Sequence, residues 1–271
     1  MLNMPTKHGS WRCPGCRACF TGTSHIGWHA NSIAVFEKGR FRWHLRPNPG
    51  YWGDSELKIL VLGFSKGHDQ QEMIDLYNRG RRGFEDIPFN STSRPTRKYL
   101  AEILLALGVI HKRQAIDDLF KAGNHGFGFA SMVRCTVEVT RSGGKAKSKP
   151  GVRSQTIKSV PPFYSDCIDR YVINAPKSVK LVILLSADKK YVDHCREQFG
   201  GVSTVDKAET TYAYIASGRT FVHVPSPSSE AAGFKNVFIG KTPPNPRGKA
   251  INMLACRDQV IPAVRTALGL V

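Results

Sequence analysis

Cys13, Cys16 and Cys19 form two overlapping C-x-x-C pairs in the run Cys-Pro-Gly-Cys-Arg-Ala-Cys. Thiolates at that spacing can reach one metal centre. A four-thiolate site needs two more ligands, and iron–sulfur and zinc chemistry are both open, because Cys₄ spacing does not choose between them. Cys195 and Cys256 fall on helical patterns and read as buried apolar residues instead. Two further stretches hold acid–base groups. One is the loop Leu62-Gly63-Phe64-Ser65-Lys66-Gly67-His68-Asp69; the other is the segment Val222-His223-Val224-Pro225-Ser226-Pro227-Ser228-Ser229. A carboxylate such as Asp69 and an imidazole such as His223 can position and deprotonate a water molecule. Glu85 and Asp86 are the other acids in this part of the chain, and they read more simply as solvated surface groups.

Chemistry of this kind needs a rigid frame. The apolar run at 57–62, closed by Gly63, predicts a strand buried on both faces of a parallel sheet. Further strands are expected at 126–134, 179–185 and 220–224. Leu100, Ile103, Leu104 and Leu107 recur at helical spacing between Pro95 and Gly108, which predicts a helix there, and others are expected at 163–174, 188–199 and 252–268. This alternation predicts an α/β fold: a three-layer α/β/α arrangement around a short central, mostly parallel sheet. Residues 1–56 are expected to form a Cys-rich N-terminal extension that contributes metal ligands, and 57–271 the core. Ligands of such sheets lie beyond the carboxyl ends of the strands, so the loops after Leu62, Arg134, Leu185 and Val224 are the places for a site.

The chain has 271 residues, 41% hydrophobic and 22% charged, a composition that excludes disorder as the default. Its 39 Lys and Arg against 21 Asp and Glu give a net charge of +18, which points to an anionic polymer as partner. A membrane surface is disfavoured, since no basic amphipathic helix stands out and no apolar run approaches the roughly 20 residues of a span. The N-terminal residues contain no apolar signal core, so a cytoplasmic location is expected, with cysteines kept reduced for metal binding or burial. A basic insertion at 141–158 carries six basic residues and no acidic one. Lys145, Lys147 and Lys149 in it could neutralise backbone phosphates, or the insertion could be a solvated surface loop.

Taken together and in this order, the two loops resemble the signature motifs of the uracil-DNA glycosylase superfamily. These are a Gly-x-x-Pro-Gly-like loop after the first core strand and a His-Pro-Ser-Pro loop after the last. The continuation Ser229-Glu230-Ala231-Ala232-Gly233-Phe234 is similar to the family's residues just after the second motif. Pro88-Phe89, with Arg94 and the helix after it, resembles the iron–sulfur branch, where that Phe stacks on the extruded base. Phe129-Ala130-Ser131-Met132-Val133-Arg134-Cys135 and Asp166-Cys167-Ile168-Asp169-Arg170-Tyr171 resemble the same branch. The resemblance runs from about Cys13 to Gly233. It implies that Cys135 and Cys167 complete a 4Fe-4S site with Cys16 and Cys19, Cys13 being able to replace either, with zinc as the alternative metal.

The site residues depart from that pattern. Phe64 stands where the iron–sulfur branch carries Glu, Val224 where the second motif carries His, and Ser131 where an Asn reads uracil. Asp69 is then the expected catalytic acid. His223 is the expected partner, provided that a bulge turns it toward the site, since neighbours on a regular strand face opposite ways. Gly63, Phe64, Ser65, Phe89, Ser131, Pro225 and Ser226 are expected around the base, and Ser228 and Ser229 against DNA, Ser228 replacing a Leu wedge found in some members. The implied function is excision, by a monomer, of a damaged or modified base other than plain uracil, such as a modified pyrimidine of phage DNA. Two rivals remain: a non-catalytic DNA-binding member of the same fold, and a metal-bearing single-strand or RNA-binding module with Trp11, Trp28, Trp43 and Trp52 as stacking platforms.

Overall fold

A computed structural model describes residues 8–10, 34–38, 41–46, 48–66, 68–81, 83–87, 95–113, 115–123, 125–141, 163–203, 210–228, 231–244 and 252–270. The strands are β1 (Gly9–Ser10), β2 (Ala34–Lys38), β3 (Phe41–Arg46), β4 (Gly50–Gly53), β5 (Ile59–Gly63), β6 (Phe127–Ser131), β7 (Thr136–Arg141), β8 (Leu181–Leu184), β9 (Val202–Ser203), β10 (Ala213–Ala216) and β11 (Arg219–His223). The helices are α1 (His68–Asn78), α2 (Pro95–Ala106), α3 (Ala115–Leu119), α4 (Phe163–Ile168), α5 (Lys189–Phe199), α6 (Ala232–Phe238) and α7 (Asn252–Leu268). The expected α/β class is what the chain adopts. An eight-stranded sheet runs β1-β4-β6-β5-β8-β11-β10-β9, and a small antiparallel sheet runs β2-β3-β7. The four central strands of the large sheet, β6-β5-β8-β11, are parallel, and antiparallel strands extend it on both sides.

Strand alternation sorts the core into two layers. Leu60, Leu62, Val182, Leu184 and Phe221 point to one face, where β3, β7, α4 and α5 supply Trp43, Val137, Ile168 and Cys195. Ile59, Val61, Leu181, Ile183 and Val222 point to the other, against α2 and α7. Every residue of β5, β6 and β8 is buried, as continuous apolar runs in a covered parallel sheet require. Among the described residues no helix is long and apolar enough to cross a membrane.

The region before residue 57 is built into this framework. β4 pairs with β6, with Gly53 opposite Gly128. Gly53 has φ of 105°, and a Cβ on it would press into the Phe127 carbonyl, so the two backbones approach only because the residue is glycine. β3 pairs with β7, which follows Cys135. Trp43 and Trp52 are wholly buried, and the Trp52 indole donates to the Phe84 carbonyl at 3.1 Å. Neither ring can serve as a stacking platform, which corrects that expectation; Trp11 and Trp28 lie outside the described residues. The helix expected at 163–174 is a short α-helix continued by a π-helical turn at Asp169–Ile173. Asp188 caps α5 by accepting from the amides of Lys190 and Tyr191, and Gly200 ends it in the left-handed region.

Candidate functional site

The order β6-β5-β8-β11 places the second parallel strand on one side of the first and the third and fourth on the other. The order in which strands are added to the sheet therefore reverses between β5 and β8, and at such a point the carboxyl-end loops part to form a crevice. Backbone hydrogen bonds knit the loops around it. Met132 and Val133 amides donate to the Gly63 and Phe64 carbonyls at 2.8 and 2.9 Å. Leu185 donates to Leu62 and Val224 to Leu184, each at 3.0 Å. The two loops singled out in the sequence are thus joined through the end of β8, and the first is also tied to the end of β6.

Gly63 closes β5 directly beside Ser131, the last residue of β6, and the Ser131 side chain is buried. Phe64 is half-buried and packs into the protein: its ring stacks on Tyr164 with centroids 5.4 Å apart and meets Tyr191 edge-on at 6.1 Å. Ser65 is half-buried. Asp69 is the second residue of α1, so its backbone lies in the first turn of a helix that starts just beyond this loop. Phe89, Ser229, Lys145, Lys147, Lys149, Cys13, Cys16 and Cys19 lie outside the described residues.

His223 does not take the expected position. β11 is regular to its end, and the ring points to the Tyr191 face while Val224 points to the opposite layer. The imidazole is fully buried. Its Nδ1 donates to the Ser186 carbonyl at 2.9 Å, so Nε2 is the bare nitrogen and accepts from the Tyr214 hydroxyl at 3.1 Å. Burial lowers its pKa to about 4, against a smaller opposing effect of the Ser186 carbonyl. A neutral ring with both nitrogens engaged and no access to solvent is a structural residue, and the catalytic expectation for His223 is corrected accordingly.

This burial makes a pH prediction. The unfolded imidazole, near 6.5, binds protons that the folded ring refuses until about 4. The stabilisation is therefore complete above the unfolded value and is lost as pH falls from 6.5 toward 4, by about 3 kcal/mol in all. Urea unfolding at several pH values should show this loss in the wild type, and His223→Gln should flatten it.

Pro225 and Ser226 line a cavity of about 360 Å³ together with Ser186, Lys189, Tyr212 and Phe234. Its size is that of a small-ligand pocket. Pro225 and Ser226 are two of the residues expected around the base. Phe234 belongs to the stretch that resembles the family after the second motif, although no site role is expected of it there, and Tyr212, just before β10, carries no motif.

Cys135 and Cys167 are buried in the same apolar layer, one just before β7 and the other on α4. Beside them is a feature with no signal in the sequence. Lys66 is 1% exposed, and its ammonium has no hydrogen-bond partner among the described residues. Burial lowers its pKa to about 8; the Cys135 thiol draws it up, Arg134 pushes it down and Cys167 draws it up. A buried cation without a hydrogen-bond partner among the described residues, within electrostatic reach of two thiols, fits a site for an anionic metal–thiolate group. Among the described residues no three His, Cys, Asp or Glu side chains gather as a metal site, and the other proposed ligands lie outside them. Comparison with protein-family models and with curated proteins finds no match to this chain.

Proposed function

We propose that the protein is a DNA N-glycosylase that rotates a base out of the strand and hydrolyses its bond to the sugar. One arrangement supports this reading: the Gly63-to-Lys66 loop, Ser131 and the Pro225–Ser226 segment, which resemble a glycosylase's motifs, all lie at the carboxyl ends of four parallel strands that include a switch point. The +18 charge holds the phosphate backbone. The flipped base stacks on Phe89, with the Ser131 end of β6 at its edge. Asp69 accepts a proton from water as the water oxygen bonds to C1′. The N-glycosidic bond breaks with its electron pair going to the base, and backbone amides of the 225–229 loop meet that charge. The water's hydroxyl stays on C1′ of the abasic sugar, and the departing base anion takes up a proton as Asp69 returns its own to solvent, which gives the free base.

Ser131 offers one short hydroxyl where Asn would offer a paired donor and acceptor. The proposed substrate is therefore a base other than plain uracil, with a bulkier modified pyrimidine as the leading class. Cys135 and Cys167 would hold a 4Fe-4S cluster with Cys16 and Cys19, Cys13 being able to replace either, or else zinc. Such a centre would tie the N-terminal segment to the β6–β7 connection and α4 without entering the hydrolysis.

The second reading is a DNA-binding protein of the same fold without catalysis. It is favoured by the packing of Phe64 on Tyr164 and by the sealed position of His223. Alkali-labile sites in oligonucleotides after incubation support the first reading, and tight binding without such sites is the outcome of the second. Binding itself should weaken steeply with salt. Neutralising Lys145, Lys147 and Lys149 together should reduce the slope of log affinity against log salt by about 3, and an unchanged slope would remove the insertion from the DNA contact.

A further inference from the structure

We propose that Lys66 is a built-in counter-cation for an anionic metal–thiolate centre on Cys135 and Cys167, an inference that rests on the metal reading above. The placement is backbone-determined. Lys66 forms a parallel β-bridge with Thr136, the residue after Cys135. Asn48 clamps Thr136 by accepting from its amide at 2.8 Å and donating to its hydroxyl at 2.9 Å. The bridge fixes the Lys66 backbone one residue from Cys135, and the Lys66 side chain is buried; it stands at the position where the glycosylase-like motif has an uncharged proline.

An ammonium sealed in an apolar layer is strongly disfavoured unless an anion meets it. Neutral thiols do not supply that anion, and metal-bound thiolates do. Four thiolates around Zn²⁺ or a [4Fe–4S]²⁺ core leave about two negative charges. Lys66 contributes one positive charge and Arg134 a second. The Arg134 guanidinium donates to the Tyr171 carbonyl at 3.2 Å and lies 5.1 Å from that ring's centre. Lys66 lies within electrostatic reach of Arg134 and of both thiols, so its burial is less costly with the centre in place. The same sealed position removes other roles: an amine without access to solvent reaches neither a phosphate nor a sugar carbon.

The test uses full-length protein prepared without oxygen, as wild type, Lys66→Met, Lys66→Gln and Lys66→Arg. Metal content is measured first, then retention against a chelator and, for iron, the midpoint potential. Wild type and Lys66→Arg should hold metal alike. Both neutral variants should bind it about 10- to 100-fold more weakly, the range typical of lost outer partners of a metal site. Their midpoint potential should move to more negative values, because a neighbouring cation favours the added electron. Metal-loaded wild type alongside neutral variants of equal retention and potential would overturn the role of Lys66 alone. Wild type devoid of iron and zinc would overturn the metal reading together with it.

Discussion

Replacing Glu102 by Ala is expected to lower folding stability by about 3 to 5 kcal/mol, the usual result of leaving one member of a buried ion pair alone. Glu102 on α2 and Lys235 on α6 are each 3% exposed at the side chain and are hydrogen-bonded to each other. Lys241 at 2.9 Å and Arg113 at 2.8 Å also reach the carboxylate, and the Lys235 ammonium lies 4.0 Å from the centre of the Tyr99 ring. Against its own burial, the Lys235 and Lys241 hydrogen bonds hold the Glu102 carboxyl at about 2. Because that value is below the unfolded 4.5, the stabilisation is complete above pH 4.5 and is lost as pH falls toward 2. The pair joins the helix that follows Phe89 to the helix that follows the 225–229 loop, so its loss should loosen both sides of the candidate site. Urea unfolding checks the magnitude. Glu102→Leu combined with Lys235→Met should recover much of the loss, since it leaves no buried charge unpaired and Lys241 and Arg113 are half exposed to solvent. A Glu102→Ala protein within 1 kcal/mol of wild type would show that Lys235 finds another anion.

Asp69→Asn should lower single-turnover base excision by about 10²- to 10⁴-fold, the range attributed to one positioned general base. Asp69 is proposed to accept a proton from water and to face a positive sugar, and the neutral amide of Asn can do neither. DNA affinity should change little, because Asp69 adds no cationic contact. His223→Gln, once corrected for stability, should keep excision within a few-fold of wild type, since the ring is sealed behind Tyr191 and Tyr214. Equal losses in the two variants would mean that the crevice opens further than the structure shows.

Much of this framework is legible in the sequence where hydrophobic pattern alone decides. The runs that become β5 and β8 are continuous and apolar, and α7 matches its expected 252–268 span. β4 was not legible, because Gly-Tyr-Trp-Gly reads as a turn until Gly53 meets Gly128 from a distant strand. α1 has a polar sequence and buries few apolar side chains, so its helical period carries little signal. The π-helical turn after α4 has no pattern of its own.

The site divides in the same way. The opposite orientations of His223 and Val224 follow from strand geometry and could be anticipated. The carbonyl and hydroxyl that engage the ring come from Ser186 and Tyr214, which only the tertiary fold brings near. Lys66 looks like an ordinary surface lysine in sequence. It becomes buried only because its backbone bridges Thr136, a contact that no local pattern encodes.

The most direct test of glycosylase activity is mass spectrometry of free bases released from DNAs carrying uracil, other deaminated bases and bulkier modified pyrimidines. A modified base should be released in preference to uracil. Ser131→Asn should shift that preference toward uracil by about 1 to 3 kcal/mol, the worth of one buried polar contact in discrimination. Efficient release of uracil by the wild type, unchanged in Ser131→Asn, would contradict the assignment of the pocket. No free base from any substrate, by protein that binds DNA tightly, would contradict base excision as the function.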